Sequence, residues 1–200
     1  MPKSKEPRGQ ADSPAKNVLQ LKVTLRDISP PIWRRVVVPD NFTLGDLHYV
    51  IQGAMGWDNC HLHAFRMGGV EYTGTMPDGR VDFGFGPPTK HEDDVLLGQI
   101  ILRKGQRFTY EYDFGDGWLH EILVEKIEPA SQAYRKPVCL AGKRACPPED
   151  CGGAPGYAHV LHVLRSAKTS EEHEFREWVG DYDPEQFDVA SVNQRLSGAS

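Results

Sequence analysis

The stretch that most constrains this chain is Arg107-Phe-Thr-Tyr-Glu-Tyr-Asp113 together with the run from Trp118 to Ile127. Phe108, Tyr110 and Tyr112 alternate with polar residues and so share one face of a strand. Between the two runs lies Phe114-Gly-Asp-Gly117, where Asp116-Gly117 is a strong tight-turn signal. The two runs are therefore expected to pair as a hairpin. With Asp116 and Gly117 as the central turn residues, Asp113 faces His120, Glu111 faces Ile122 and Thr109 faces Val124.

The rest of the chain can be arranged around that hairpin. Leu19, Leu21, Val23 and Leu25 fall on alternate positions, a strand pattern that Pro30-Pro31 interrupts and Ile32 to Val38 resumes. Thr43 then opens a helix. Its hydroxyl can accept from the backbone N–H of Asp46, and Asp46 favours the positive end of the helix dipole. Leu44, Leu47, Ile51, Ala54 and Met55 share one face, and Gly56 is a natural stop. A strand from Leu62 to Met67 follows, turned by Gly68-Gly69 into Val70 to Tyr72. Thr75 to Asp94 holds Pro77, Gly79, Gly84, Gly86, Pro87 and Pro88 and reads as a long loop, of a length that often serves function. Near the end, Pro155 suits the first turn of a helix carrying Tyr157, Val160, Leu161 and Leu164. Helices from about Ser170 to Val179 and from Val189 to Leu196 close the chain. The expected class is α+β, mostly antiparallel, with a β-grasp-like hairpin–helix–strand opening and C-terminal helices.

With 200 residues, 39% of them hydrophobic, the chain can bury a real core as one domain over residues 17–200. Residues 1–16, polar and Pro-rich, read as a disordered leader. They lack the apolar core of a secretory signal, which predicts a cytoplasmic protein whose cysteines are thiols or ligands rather than disulfides. Nothing approaches the ~18 consecutive apolar residues of a membrane span, so no membrane partner is expected. Net charge is −5, and the segment from Glu171 to Asp188 is strongly acidic, which disfavours a nucleic-acid partner.

Three groups of residues carry chemistry. Cys139, Cys146 and Cys151 lie in one Pro- and Gly-rich run. Only the Cys146–Cys151 interval touches the spacing of structural zinc pairs, so a zinc site would need a histidine, His61 or His120, as outside ligand. Packing as small apolar groups and a redox pair are the alternatives. In His61-Leu-His63 both imidazoles would share one strand face, fit to chelate a metal or to be a structural pair. Asp113 and His120, if cross-strand partners, could orient a general base or a metal ligand, with Asp116 as a turn residue. Glu149 and Asp150, beside Cys151 and close to a helix start, are explained by the helix dipole alone. Phosphate-loop, dinucleotide, His-Glu-x-x-His and Gly-x-Ser-x-Gly signatures are missing.

Several runs, in order, carry a resemblance. Ile32-Trp-Arg-Arg35, Thr43-Leu-Gly-Asp-Leu-His48, Ile51-Gln-Gly-Ala-Met-Gly-Trp57, His61-Leu-His-Ala-Phe65, Tyr112-Asp-Phe-Gly-Asp-Gly-Trp-Leu-His120 and Cys146-Pro-Pro-Glu-Asp-Cys-Gly-Gly153 resemble the plasmid pRiA4b ORF-3-like family. The resemblance spans about residues 18–190 and implies an α+β fold, an unestablished function and an association with mobile elements. Some family members carry a transposon-resolvase label. A serine resolvase needs an activated serine, arginines around the scissile phosphate and a basic helix-turn-helix, whereas the C-terminal helices here are acidic.

The leading expectation is thus a non-enzymatic module that binds a protein or small molecule, with zinc as a stabilising cofactor if the cysteines are ligands. A metal-dependent hydrolytic enzyme with His61, His63, Asp113, His120 and the cysteines on one metal is the alternative. An accessory DNA-binding role comes third.

Overall fold

The computed structural model describes residues 14–75, 87–131, 136–166 and 168–198. Its frame is one eight-stranded sheet. The hairpin β1 (Asn17–Leu25) and β2 (Trp33–Pro39) comes first, then α1 (Leu44–Met55), β3 (His63–Met67) and β4 (Val70–Thr73). A short β5 (Thr89–His91) leads through a 3-10 turn at Glu92–Asp94 to α2 (Leu97–Ile100). The central hairpin is β6 (Arg107–Tyr112) and β7 (Trp118–Pro129), followed by β8 (Val138–Lys143). Three helices end the chain: α3 (Gly153–Ser166), α4 (Ser170–Val179) and α5 (Val189–Leu196).

Strand order is β5-β4-β3-β6-β7-β1-β2-β8, antiparallel except for the β4–β5 pair. The fold is α+β, mostly antiparallel. Hairpin, helix and strand do open the chain, but β3 is not a neighbour of the hairpin, because β6 and β7 lie between β3 and β1.

The alternation in β1 is used as its period dictates: Leu19, Leu21, Val23 and Leu25 are all buried. They join one apolar cluster with Val36 and Val38 of β2, Phe108, Tyr110 and Tyr112 of β6, and Leu44, Leu47, Ile51 and Met55 of α1. Helix α1 begins as its sequence signals. The Thr43 hydroxyl accepts from Asp46 N–H at 3.0 Å, and the Asp46 carboxylate accepts from Thr43 N–H at 2.9 Å, a reciprocal cap whose loss costs about 1 kcal/mol. It ends at Gly56, whose φ of 101° suits a residue without Cβ.

Three local expectations are corrected. The β6–β7 hairpin closes through a longer loop over Asp113–Gly117, so His120 lies opposite Tyr110 rather than Asp113. Asp113 takes φ 54° and accepts from Gly115 N–H at 2.9 Å, which shifts the register by winding the chain before the Asp-Gly pair is reached. The cysteine run is not a single loop, since Cys139 sits on the edge strand β8. The stretch read as loop from Thr75 to Asp94 contains β5 and the 3-10 turn, while its Pro/Gly-rich middle lies outside the described residues. So does most of the 1–16 leader.

One buried arginine ties three layers together. Arg34 on β2 is 2% exposed and donates to the carbonyls of Ala54 at 2.8 Å, Trp33 at 2.9 Å and Lys143 at 3.1 Å, while its guanidinium stacks over Phe187. It thus satisfies the C-terminal carbonyl end of α1 and locks it to the sheet edge.

The segment after β8 is clamped by close backbone contacts. A Cβ at Gly156 would collide with the carbonyl of Cys151, and one at Gly153 (φ 67°) with the carbonyl of Asp116. Gly152 N–H donates to the Asp116 carboxylate at 3.1 Å. The Cys-Gly-Gly-Ala-Pro-Gly run is therefore the means by which this loop docks on the β6–β7 turn. Replacing Gly156 by Ala should destabilise the protein by at least ~2 kcal/mol in urea unfolding, because neither colliding partner is a flexible side-chain end.

Candidate functional site

Polar residues on the buried side of α1 form a closed hydrogen-bond ring with β6. Asn59 N–H donates to Gln52 Oε1 at 3.1 Å, and Gln52 Nε2 donates to the Tyr110 hydroxyl at 2.9 Å. That hydroxyl lies 2.7 Å from His48 Nδ1, and His48 Nε2 lies 2.6 Å from Asn59 Oδ1. Fixing the Gln52 amide by its Asn59 contact leaves one consistent set of protons: Tyr110 donates to Nδ1, and His48 carries its proton on Nε2. Burial pushes the His48 pKa down to about 3, and the neighbouring His63 adds to the effect.

His63 stacks on His48 with ring centroids 3.5 Å apart and an angle of 5° between planes. Its Nε2 meets Glu92 Oε2 at 2.7 Å, and burial lowers its pKa to about 4. Burial also raises the Glu92 carboxyl to about 7. These groups line a cavity of about 350 Å³ together with Asp46, Tyr49, Asn59, His61, Thr73, Gly74, Thr75, His91 and Asp93.

His61 borders this cavity and also faces an acidic group. Its Nε2 is 3.1 Å from Asp150 Oδ1, 3.7 Å from Asp113 Oδ2 and 3.9 Å from Glu149 Oε2. None of the three is aligned as a hydrogen bond, and both His61 Nε2 and Glu149 Oε2 are enclosed without a partner. The other Glu149 oxygen is anchored by Asp58 N–H at 2.9 Å and the Tyr112 hydroxyl at 3.0 Å. Asp113 and Asp150 both hold positive φ, 54° and 55°, a conformation that Asp tolerates but that concentrates at working sites. Among the described residues, His61 belongs to both sets of three ligand-type atoms that lie within 4.8 Å of one another: with Asp113 and Asp150, and with Cys60 and Glu149.

Of the residues picked from sequence, His61, Asp113, Glu149 and Asp150 come together, His63 lines the adjoining cavity, and Asp116 holds the Gly152 loop. His120 lies apart from them, fully buried, with Nδ1 3.2 Å from the Tyr110 carbonyl and the Trp57 ring edge-on at 5.3 Å. Its expected pairing with Asp113 is lost with the register. The three cysteines do not converge: none of them belongs to either three-atom set among the described residues. All three are buried in the apolar cluster, and burial raises their thiols, that of Cys151 to about 12. Of the readings open for them, packing as small apolar groups matches this placement.

Sequence reasoning passed over His48, Gln52, Tyr110 and Glu92. The first two had a signal, since they stand four apart among Leu44, Leu47 and Ile51 on a face that should be apolar. The alternation in β6 predicts Tyr110 as an apolar strand residue, and Glu92 lies in a stretch whose prolines and glycines predict loop.

This arrangement has relatives. The family described as plasmid pRiA4b ORF-3-like protein matches residues 17–191. The uncharacterized protein y4hQ of Sinorhizobium fredii is 39% identical over 182 residues, which is 90% of this chain and 91% of that protein. The crystal structure of MM3350, a protein of unknown function from Methanosarcina mazei, superposes with a TM-score of 0.77 at 36% identity, covering 89% of this chain and 98% of that one.

Neutral buried imidazoles make stability depend on pH with a definite sign. His48, His63 and His120 keep native pKa values of about 3, 4 and 4, so below 6.5 the unfolded chain takes up protons that the native histidines refuse. Each loses about 2 kcal/mol between pH 7 and pH 5. Glu92 works in the opposite direction, holding its proton up to about 7 in the native state. The expected balance is a net loss of about 3 kcal/mol from pH 7 to pH 5 in urea titrations. A flat or rising profile would show that these imidazoles are not held neutral.

Proposed function

The chain belongs to the plasmid pRiA4b ORF-3-like protein family, and from the site it carries we propose that it binds a divalent cation at His61 and a small polar molecule in the adjoining cavity. The observation behind the proposal is the pair of enclosed, unbonded atoms His61 Nε2 and Glu149 Oε2, 3.9 Å apart, with Asp113 and Asp150 beside them. Enclosed polar atoms without partners are costly, about 1–3 kcal/mol each, and native proteins rarely keep them for nothing.

A cation fits the spacing. Ligand atoms about 2.0–2.2 Å from a first-row ion stand roughly 3.0–3.5 Å from one another, close to the 3.1–3.9 Å separations around His61. Three of these atoms, on His61, Asp113 and Asp150, lie within 4.8 Å of one another, and one imidazole with two carboxylates is a borderline-to-hard donor set that suits Mn²⁺ or Zn²⁺ better than a thiolate-selecting ion. His61 also borders the 350 Å³ cavity, so a molecule held there could complete the ion's coordination. In this reading the cation belongs to the ligand site and the cysteines to the core.

Titration of the metal-free protein with Mn²⁺ or Zn²⁺ should give one equivalent bound and a higher melting temperature. His61→Ala and Asp150→Asn should each weaken binding at least tenfold, whereas Cys139→Ser should leave the stoichiometry unchanged. If the cysteine variant lost the metal and His61→Ala kept it, the ligand set proposed here would be wrong.

A further inference from the structure

We propose that the cavity recognises its ligand through a protonated amine seated on Glu92. The inference rests on the reading of this cavity as a ligand site, but it uses none of the residues assigned to the metal.

Glu92 is a built acceptor. Its side chain is 9% exposed, Oε2 is held by His63 at 2.7 Å, and Oε1 has no hydrogen-bond partner among the described residues. Gly74 keeps the approach to that oxygen open, because a Cβ there would stand 3.1 Å from Oε1. The described lining contains no lysine or arginine. Of the histidines in the lining, His61 turns Nε2 toward Asp113, Glu149 and Asp150, and the other three are engaged in hydrogen bonds. Both nitrogens of His48 lie within the hydrogen-bond ring, and His63 is turned to Glu92. His91 accepts from Asp93 N–H through Nδ1, which leaves Nε2 to donate to the Thr75 hydroxyl at 2.9 Å. Asp46 caps α1, and Asp93 accepts from the Thr43 hydroxyl at 3.3 Å.

The wall therefore offers acceptors and almost no free donors, and an anion entering it would meet carboxylates without a counter-charge. An ammonium group brings three donors and the missing positive charge. Contact with it would compensate the desolvation that lifts the Glu92 carboxyl to about 7. The groups facing Glu92 are His63 from β3, His48 and Asp46 from α1, Thr73 and Gly74 from β4, and His91 and Asp93 from its own segment. At pH 8 the carboxyl is ionised and a primary amine is protonated. As pH falls through 7 the carboxyl takes up its proton and the amine must lose affinity.

Calorimetric titration of the full chain, freed of metal with EDTA, with n-butylammonium at pH 8 tests this, with butyrate as the shape-matched anion. The expected result is one saturable butylammonium site and none for butyrate, weakening about tenfold per pH unit below pH 7. Glu92→Gln should weaken binding at least tenfold while the metal equivalent is retained. Gly74→Ala should weaken it as well, by crowding Oε1 without altering charge. Asp150→Asn should lose the metal and keep the amine. Butyrate binding in place of butylammonium, the lack of any saturable site, or amine binding that survives Glu92→Gln would overturn the proposal. So would amine binding lost with Asp150→Asn, which would put the amine in the His61 cluster. Failure of metal binding alone would leave the amine site standing and count against the cation reading only.

Discussion

A buried tyrosine hydroxyl sets the terms for everything around the site. Tyr110 is fully enclosed in the middle strand of the sheet, where its hydroxyl has no water to bond. Gln52 and His48 meet that need from α1, and Asn59 closes the ring through both of them. Because each donor points to the next acceptor in one direction, reversing any member leaves two groups unpaired in a low-dielectric interior. The ring fixes the rotation of α1 on the sheet and the path of the chain leaving it. Asn59 takes φ 55° to deliver both its N–H and its side chain, and His61 and His63 follow within four residues. The positions of both histidines thus depend on a network two of whose members, His48 and Asn59, also line the cavity.

A second set of contacts brings the carboxylates to His61. Trp57 Nε1 donates to the Pro147 carbonyl at 3.1 Å, tying the end of α1 to the segment that carries Glu149 and Asp150. Gly153 lets the same segment press on the β6–β7 turn, where Asp113 sits, and Gly156 lets the segment fold back on Cys151. Cys146 and Cys151 are buried on the inner side of this segment, with the apolar cluster behind them. Packed there as small apolar groups, they help to seat the loop.

Much of this could be read from residues alone, and the failures have a common cause. Signals confined to a few neighbours held: the Thr43–Asp46 cap, the Gly56 stop, the alternation of β1, and the helices at Ser170–Val179 and Val189–Leu196. The α+β class followed from element order. The hairpin register failed because Asp113, rather than Asp116-Gly117, begins the turn by folding its carboxylate onto Gly115 N–H. Such a side-chain-to-backbone choice depends on the packed Cys151–Gly153 loop that receives the turn. Four acidic and imidazole residues named from sequence, His61, Asp113, Glu149 and Asp150, lie together. The ring of His48, Gln52, Asn59 and Tyr110 went unseen, because each member, taken singly, looks like an ordinary helix or core residue.

Three of the carboxylates around the site share one device. Asp113 gives Oδ1 to Gly115 N–H and turns Oδ2 to His61. Glu149 gives Oε1 to Asp58 N–H and Tyr112 and leaves Oε2 unbonded. Glu92 gives Oε2 to His63 and keeps Oε1 open beneath Gly74. In each case one oxygen holds the fold and the other faces the place where a ligand would stand. A carboxylate held at one end loses little further freedom when its second oxygen binds, so the ordering has been met during folding. It also cannot turn away to water, which keeps the negative charge concentrated on the side of the site. The same half-anchoring is what would make binding selective for a positive charge.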